Sequence, residues 1–133
     1  MKIIDGENAV VGRIASYCSK QALQGEEIAI VNCEKAIITG NKKRIQAEFA
    51  IKRGRVGSSQ KGPKHPRTSE KIVKRAIRGM LPDHRMGRGR VAFKRIKCYK
   101  GIPKEFEDKD KIKLKTKIKR KYSQVGEFTK NER

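Results

Sequence analysis

The chain has 133 residues, of which 37% are charged and 35% are apolar, and its formal net charge is +21. Residues 35–104 hold twenty-two Lys and Arg against three Asp and Glu, so this segment needs a dense polyanion as partner, and nucleic acid is the common one in cells. The composition excludes a membrane span and a secretory signal, because no apolar run is long enough, and the seven aromatic residues are too few for a single-strand binder that stacks bases.

Two strands and a helix are predicted in the first 33 residues. Residues 2–5 form a short apolar run that Gly6 closes, and residues 27–33 contain the continuous apolar run of a buried strand. Between them, residues 10–24 repeat apolar side chains at helical spacing. A strand–helix–strand unit of this length predicts two parallel strands with a right-handed crossover. The apolar stripe of the helix comprises Val11, Ile14, Ala15, Cys18, Ala22 and Leu23.

A third strand and a second helix are predicted next. Residues 36–39, Ala-Ile-Ile-Thr, include three β-branched residues, which favours a strand. Asn41 is placed to cap a helix over residues 42–53, with Ile45 and Phe49 facing inward. Residues 54–67, rich in Gly, Pro and Ser, are interpreted as a loop.

A third helix, a short basic helix and a last strand complete the predicted domain. Thr68 or Ser69 caps the third helix, which ends near Met80 because Pro82 follows. Residues 85–95 are predicted to form a basic turn and a short helix, and residues 96–99 the last strand. The apolar stripe of the third helix comprises Ile72, Val73, Ala76, Ile77 and Met80.

The carboxyl-terminal tail has a different pattern. Residues 109–119 place Lys at every odd position, and the even positions from 112 onward hold Ile, Leu, Thr and Ile. Period two predicts a strand whose apolar face lies along the protein while its ammonium face meets phosphate. The alternative is a solvated tail without fixed structure.

No motif for catalysis or metal binding emerges from the sequence. Gly6 and Gly12 flank the first strand-to-helix turn, but their spacing matches neither a P-loop nor a dinucleotide fingerprint, so we interpret them as turn and helix-packing glycines. No two of the three cysteines are within four residues of each other, which predicts free thiols in a reducing compartment rather than a zinc pair. His65 and His84 lie in basic loops without ligand partners. We therefore expect no enzyme, no metal and no cofactor.

The strongest functional signal lies between residues 62 and 101. A helix there has one apolar and one cationic face, and its cations Lys74, Arg75 and Arg78 have no Asp or Glu three or four residues further on. Residues 87–90, Gly-Arg-Gly-Arg, are expected to form a loop in which the backbone approaches phosphate while the guanidinium groups bind it in pairs.

These segments resemble a known family, the thirteenth protein of the large ribosomal subunit in its archaeal form. The resemblance covers residues 2 to about 104, with weaker similarity around residues 125–127. Cys33 and Cys98 depart from it, because small or apolar residues are expected there. The similar segments are 78–82 (Arg-Gly-Met-Leu-Pro) with the basic Gly-rich stretch after it, 4–6 (Ile-Asp-Gly), 11–16 (Val-Gly-Arg-Ile-Ala-Ser), 31–36, 38–42 and 99–103.

The resemblance implies a fold and a function. The fold is α/β, with a small, largely parallel sheet of about four strands flanked by helices, and with basic extensions. Residues 1–104 would form a ribosomal RNA-binding domain, and residues 105–133 a Lys-rich extension that packs on the domain or on RNA. The function is that of a cytoplasmic structural constituent of the large ribosomal subunit, which binds and stabilises large-subunit ribosomal RNA during assembly and translation. Neighbouring ribosomal proteins are expected as partners, and a membrane or a homo-oligomer is not.

The residues expected to contact RNA are chiefly cations that would bind phosphate and 2′-hydroxyl groups. They are Arg13, Lys42, Lys43, Arg44, Arg53, Arg55, Lys61, Lys64, His65, Arg67, Lys74, Arg75, Arg78, Arg85, Arg88, Arg90 and Arg95.

The sequence has three alternative interpretations. A DNA-binding, chromatin-type protein is the main alternative, and base-reading side chains on one groove-sized helix would favour it. A small α/β enzyme needs paired carboxylates, whereas residues 35–104 hold only Glu48, Glu70 and Asp83. A basic membrane-surface protein needs a helix with a bulky apolar face, which the sequence does not predict.

Overall fold

The centre of the molecule is a four-stranded sheet in the computed structural model, which describes residues 1–54, 65–114 and 120–128. In spatial order the strands are β4 (Ile96–Cys98), β2 (Ile28–Val31), β1 (Lys2–Asp5) and β5 (Ile112–Lys113), and every neighbouring pair is parallel. The four residues of β2 are all buried because strands flank it on both sides and chain covers both of its faces. The predicted α/β class and parallel four-stranded sheet are confirmed.

Four helices flank the sheet, as predicted: α1 (Val11–Leu23), α2 (Lys42–Gly54), α3 (Ser69–Met80) and α4 (Gly87–Lys94). The main hydrophobic cluster joins α1, α3 and α4 to one face of the sheet. Most residues of the predicted apolar stripes of α1 and α3 are buried, which removes apolar surface from water and is the main stabilising term of the fold. None of the helices in the described ranges combines the length and the apolar content needed to cross a bilayer.

The prediction that the apolar stripes of α1 and α3 extend to the last residue of each helix was wrong. Leu23 and Met80, the last residues of α1 and α3, are exposed. Each lies where its helix stops, and the extended Leu81 is buried in place of Met80. Ser19, which lies outside the predicted apolar stripe of α1, is also buried, and its hydroxyl donates a 3.0 Å hydrogen bond to the Ser16 carbonyl.

The second face of the sheet is covered by residues that follow β4. Phe106 is buried against Ile3, Ala29 and Val31, and Tyr99 packs on its ring at a centroid distance of 5.6 Å. This cluster is small, so a single aromatic side chain supplies much of the cover. The sheet is therefore closed on one side by three helices and on the other by a short irregular segment.

A second, two-stranded sheet contains β3 (Ile37–Thr39), which pairs antiparallel with β6 (Tyr122–Gln124). The strand predicted at 36–39 thus exists but does not join the main sheet. The prediction that residues 96–99 form the last strand was wrong, because β5 and β6 follow. Period two predicted a strand in the Lys-rich stretch, and β5 confirms it at two positions; residues 115–119 lie outside the described residues.

Helix α2 packs on the end of the chain and contacts the main core through Phe49. Only Ile45 of this helix is buried. Phe49 stacks on Phe128, with ring centroids 5.4 Å apart and planes 11° from parallel. Phe128 and Val125 are themselves buried at the ends of a 3-10 segment, Val125–Phe128, that follows β6 directly. Helix α2 is therefore positioned by residues about 75 places further along the chain.

The glycines of the first turn have different roles. The N–H of Gly6 donates to the Val31 carbonyl at 2.9 Å, and a Cβ at Gly6 would lie 3.0 Å from that oxygen, so its interpretation as a close-packed turn glycine is confirmed. A Cβ at Gly12 would meet nothing within 4 Å. The helix-packing interpretation of Gly12 was therefore wrong.

Candidate nucleic-acid interface

Most of the predicted RNA contacts that the structure describes are exposed side chains on helices and turns. No described carboxylate forms an ion pair with six of them, which leaves their charge for a partner. These six are Arg13 on α1, Lys43 on α2, Arg67 before α3, and Arg85, Arg88 and Arg90 around the start of α4. Arg55, Lys61 and Lys64 lie outside the described residues.

Two cations at the start of α2 have carboxylate partners. Lys42 lies 3.6 Å from Glu127, and Arg44 lies 3.3 Å from Glu48 one helical turn away. Both pairs are exposed, so each contributes little to stability and does not prevent either cation from meeting phosphate. Asn41 caps this helix as predicted, because its side-chain oxygen accepts a 3.0 Å hydrogen bond from the Lys43 N–H.

Arg53, at the end of α2, is held between protein groups and faces a second cation. Its guanidinium donates to the Phe128 carbonyl and lies 5.3 Å from the Phe49 ring centroid, and its Nε has no hydrogen-bond partner in the described structure. Burial, together with the charge of Arg67, lowers the pKa of Arg53. Two like charges brought together without a carboxylate favour the binding of an anion between them.

One cation of helix α3, Lys74, lies over α4. Lys74 Nζ lies 4.9 Å from the Phe93 ring centroid, and His84 meets the same ring edge-on at 6.1 Å. Arg75 and Arg78 are half-buried on the same helix. The α3 cationic face is therefore partly built into the protein, rather than being wholly solvated.

The Gly-Arg-Gly-Arg segment is helical, and the predicted loop was wrong. It forms the first turn of α4, whose amino end is preceded by an Asx turn in which the Arg85 N–H donates to Asp83 Oδ1 at 3.0 Å. Gly89 is buried, because a Cβ there would lie 2.3 Å from the Pro82 carbonyl oxygen. Close packing against this turn, not approach to phosphate, requires glycine at this position, and it holds Arg88 and Arg90 outward.

Arg95 has a role inside the protein. Its Nη1 donates a 2.9 Å hydrogen bond to the Ala22 carbonyl at the carboxyl end of α1. The same carbonyl also accepts a 3.2 Å hydrogen bond from the Gly25 N–H, so the guanidinium adds a second donor there, and its charge complements the helix dipole. A contact between Arg95 and RNA would therefore compete with the hydrogen bond that Arg95 donates to α1.

A cleft of about 570 Å³ adjoins β3 between α2 and the helices α1 and α3. His65 and Arg75, both in the predicted set, line it together with Lys52 and Thr39, which sequence reasoning missed. The basic composition of α2 could have identified Lys52. Nothing in the sequence singles out Thr39, because only the tertiary fold places it beside the other three.

Cys18 and Cys33 are buried thiols with a raised pKa. Burial raises the pKa of Cys18 to about 12, and a hydrogen bond with Cys98, together with burial, raises the pKa of Cys33. All three thiols are free. Within the described ranges, His, Cys, Asp and Glu do not gather in groups of three or more that could hold a metal ion.

Comparison with known proteins identifies the relatives of this chain. A family model described as Ribosomal protein L13 matches residues 1–105. A protein of Methanococcus maripaludis is 52% identical over 106 residues, which cover 77% of each chain. A protein of Methanopyrus kandleri is 50% identical over 106 residues, covering 80% of this chain and 65% of its own. A protein of Methanocaldococcus jannaschii is 42% identical over 134 residues, covering 98% of this chain and 96% of its own. Each of these relatives is called large ribosomal subunit protein uL13.

Proposed function

The chain belongs to the ribosomal protein L13 family, and from this premise we propose that it is a structural constituent of the large ribosomal subunit that binds large-subunit ribosomal RNA. The observation that supports RNA binding most directly is the charge of residues 35–104, because in the described part of this segment much of it lies on exposed side chains without carboxylate partners. The protein would act by charge neutralisation, because its cations replace counterions on the phosphates and let RNA helices pack closely.

The arrangement of the cations supports contact with folded RNA. They occupy several separate elements, from α1 to α4, rather than one helix that could enter a DNA major groove. Arg and Lys on dispersed elements are suited to phosphate and 2′-hydroxyl contacts across more than one RNA strand. The chain has no Trp and few other rings, so base stacking is a minor part of the contact.

The remaining parts of the proposal concern partners and organisation. Residues 1–104 are the RNA-binding domain, and the Lys-rich extension of residues 105–133 contacts RNA with its exposed ammonium groups. Other proteins of the same subunit are neighbours, and the ribosome in the cytoplasm is the place of action. The role is structural and includes no catalytic step.

The test is the salt dependence of binding between the full chain and purified large-subunit ribosomal RNA, measured by filter retention. With about eight phosphates contacted, the logarithm of the affinity should fall with the logarithm of the salt concentration at a slope steeper than about −5. Replacing Arg88 and Arg90 together by Ala should weaken binding at least about tenfold and make the slope shallower by about two.

The matched control removes the same charge outside the predicted contact set. Lys20 and Lys104 are both exposed, and their replacement by Ala should leave the slope unchanged. Equal losses in the two double variants would indicate a nonspecific effect of net charge and contradict the proposed surface. Stronger retention of duplex DNA than of ribosomal RNA at the same salt would favour the chromatin-type alternative.

A further inference from the structure

Resting on the proposed RNA-binding function, we propose that the cleft beside β3 binds one unstacked nucleobase of the RNA, with the attached phosphate held at its rim. Helix α2 is supported by the stacking of Phe49 on Phe128, and the cleft lies between α2 and the helices α1 and α3. Its volume of about 570 Å³ lies within the range of about 300–1,000 Å³ typical of small-molecule sites. A base extruded from a loop or a bulge is the part of RNA that enters such a site.

The walls of the cleft have the chemistry of a base-binding site. Val10, Ile37, Ile72 and Ala76 contribute an apolar surface, which an aromatic base covers without loss of hydrogen bonds. Bases taken out of a stack are bound against aromatic rings, imidazoles and guanidinium planes. His65 and Arg75 line this cleft with two flat groups of those kinds, alongside the Phe49 ring.

A hydrogen-bond donor and an acceptor face the cleft from Thr39. In the antiparallel ladder, Gly40 N–H donates to Lys121 and the Ala36 carbonyl accepts from Val125, so even-numbered residues of this stretch point toward β6. The odd-numbered Thr39 therefore directs its N–H and C=O to the other side, where its residue lines the cleft. A paired donor and acceptor on one residue match the edge of a base.

The charge at the rim selects a nucleotide over an apolar segment of a protein. Lys52 and Arg75 line the cleft as cations, and Arg53, one residue on, lies close enough to Arg67 for their charges to interact. Arg75 and His65 also interact with other groups of the protein. An apolar protein side chain would contact only the walls, whereas a nucleotide would contact the walls with its base and place its phosphate beside the charge of Lys52.

The first test maps binding to the ¹⁵N-labelled full chain by NMR, with the four ribonucleoside 5′-monophosphates as probes. At least one should shift the amides of Gly12, Thr39 and Ala76 saturably at millimolar concentration. Ribose 5-phosphate is the matched probe without a base and should leave the Thr39 amide unmoved. Equal shifts with both probes, or none at 10 mM nucleotide (roughly the weak end of binding to a single small site), would overturn the proposal. So would shifts produced only by N-acetyl-leucine amide, which would assign the cleft to a protein neighbour.

The second test fills the cleft and measures affinity for large-subunit ribosomal RNA. Ala76→Leu adds bulk to the half-buried wall, and it should lower affinity on the order of tenfold while leaving the salt slope unchanged, because stacking is lost but no phosphate contact is. Ala47→Leu makes the same change on an exposed part of α2 outside the cleft and should have no effect. Thermal melting of both variants checks that each is folded.

The outcomes separate this inference from the function on which it rests. Wild-type affinity in a folded Ala76→Leu variant would reject the base-binding cleft and leave RNA binding intact. Absence of ribosomal RNA binding by the wild-type chain would reject the proposed function itself. Should Ala76→Leu not fold, the nucleotide titration of the wild-type protein decides the inference alone.

Discussion

At the scale of single residues, the absence of one Cβ decides how the cationic turn at α4 is built. The carbonyl oxygens of Pro82 and Asp83 would lie 2.3 and 2.4 Å from a Cβ at Gly89, distances at which backbone must move. The helix therefore starts against the turn only if residue 89 is glycine, and the two arginines beside it are presented outward as a result.

Gly89→Ala should destabilise the protein, whereas the same change at another helical glycine should not. Overpacking at residue 89 is expected to lower the free energy of unfolding by about 1–3 kcal/mol. At Gly79 of α3 a Cβ meets nothing within 4 Å, so Gly79→Ala should raise it by about 0.5–1 kcal/mol through helix propensity. Urea unfolding followed by circular dichroism measures both, and a similar change in the two variants would contradict this account.

Several cations that the sequence predicts as RNA contacts also form contacts within the protein, and the sequence gives no sign of these. Arg95 donates to α1, Arg53 donates to the Phe128 carbonyl, and Lys74 covers the Phe93 ring. Each is a predicted RNA contact because it is basic and lies in a basic region. A count of positive charge therefore cannot separate cations that hold the protein together from those that face a partner.

At the scale of elements, the end of the chain completes the fold of its beginning. β5 adds the fourth strand to the main sheet, β6 gives β3 its partner, and Phe128 supports α2. Phe106 covers the sheet face opposite to the one that α1, α3 and α4 cover. A sheet that lacked this cover would expose apolar residues of its two central strands to water.

Phe106→Ala should be among the most destabilising point changes in the molecule. Removal of a buried aromatic ring is expected to cost about 3–5 kcal/mol, through lost apolar burial and the cavity that remains. Ile102→Ala in the same segment removes a side chain that is 40% exposed and should cost less than about 1 kcal/mol. Equilibrium urea unfolding gives both values, and equal costs would show that the segment does not seal the sheet.

At the scale of the whole molecule, a net charge of +21 on 133 residues opposes the compact state. Like charges repel more strongly when the chain is folded than when it is extended, and the ion pairs that the structure describes are few and exposed. A polyanion that binds only the folded protein would remove this repulsion and add binding free energy to stability.

The melting temperature of the isolated chain should therefore rise with salt. If screening by salt raises the free energy of unfolding by about 1 kcal/mol between 0.05 and 0.5 M sodium chloride, the melting temperature of a domain of this size rises by roughly 3–6 °C. Differential scanning calorimetry measures it, with sucrose at equal osmolality as an uncharged control. A melting temperature that stays constant or falls with salt would show that self-repulsion is not a major term.

The sequence by itself determined the class of the fold, and it predicts the chemistry of the partner. Apolar periodicity placed β1, α1, β2, α2 and α3 within about two residues of their bounds, because side chains on one face of an element must meet the core. The charge surplus predicts a polyanion for an equally local reason, since it depends on composition and not on conformation.

The tertiary structure alone decided which strands share a sheet, what α2 rests on and where a cleft opens. These depend on contacts between residues far apart in the chain, such as Ile38 with Ser123 and Phe49 with Phe128. Weakly patterned segments carry little local information, so their positions are fixed by the surfaces left open after the strongly patterned elements pack. The packing of elements that are far apart in the chain also brings Thr39 and Arg75 into the lining of one cleft. Neither local sequence carries a signal of this.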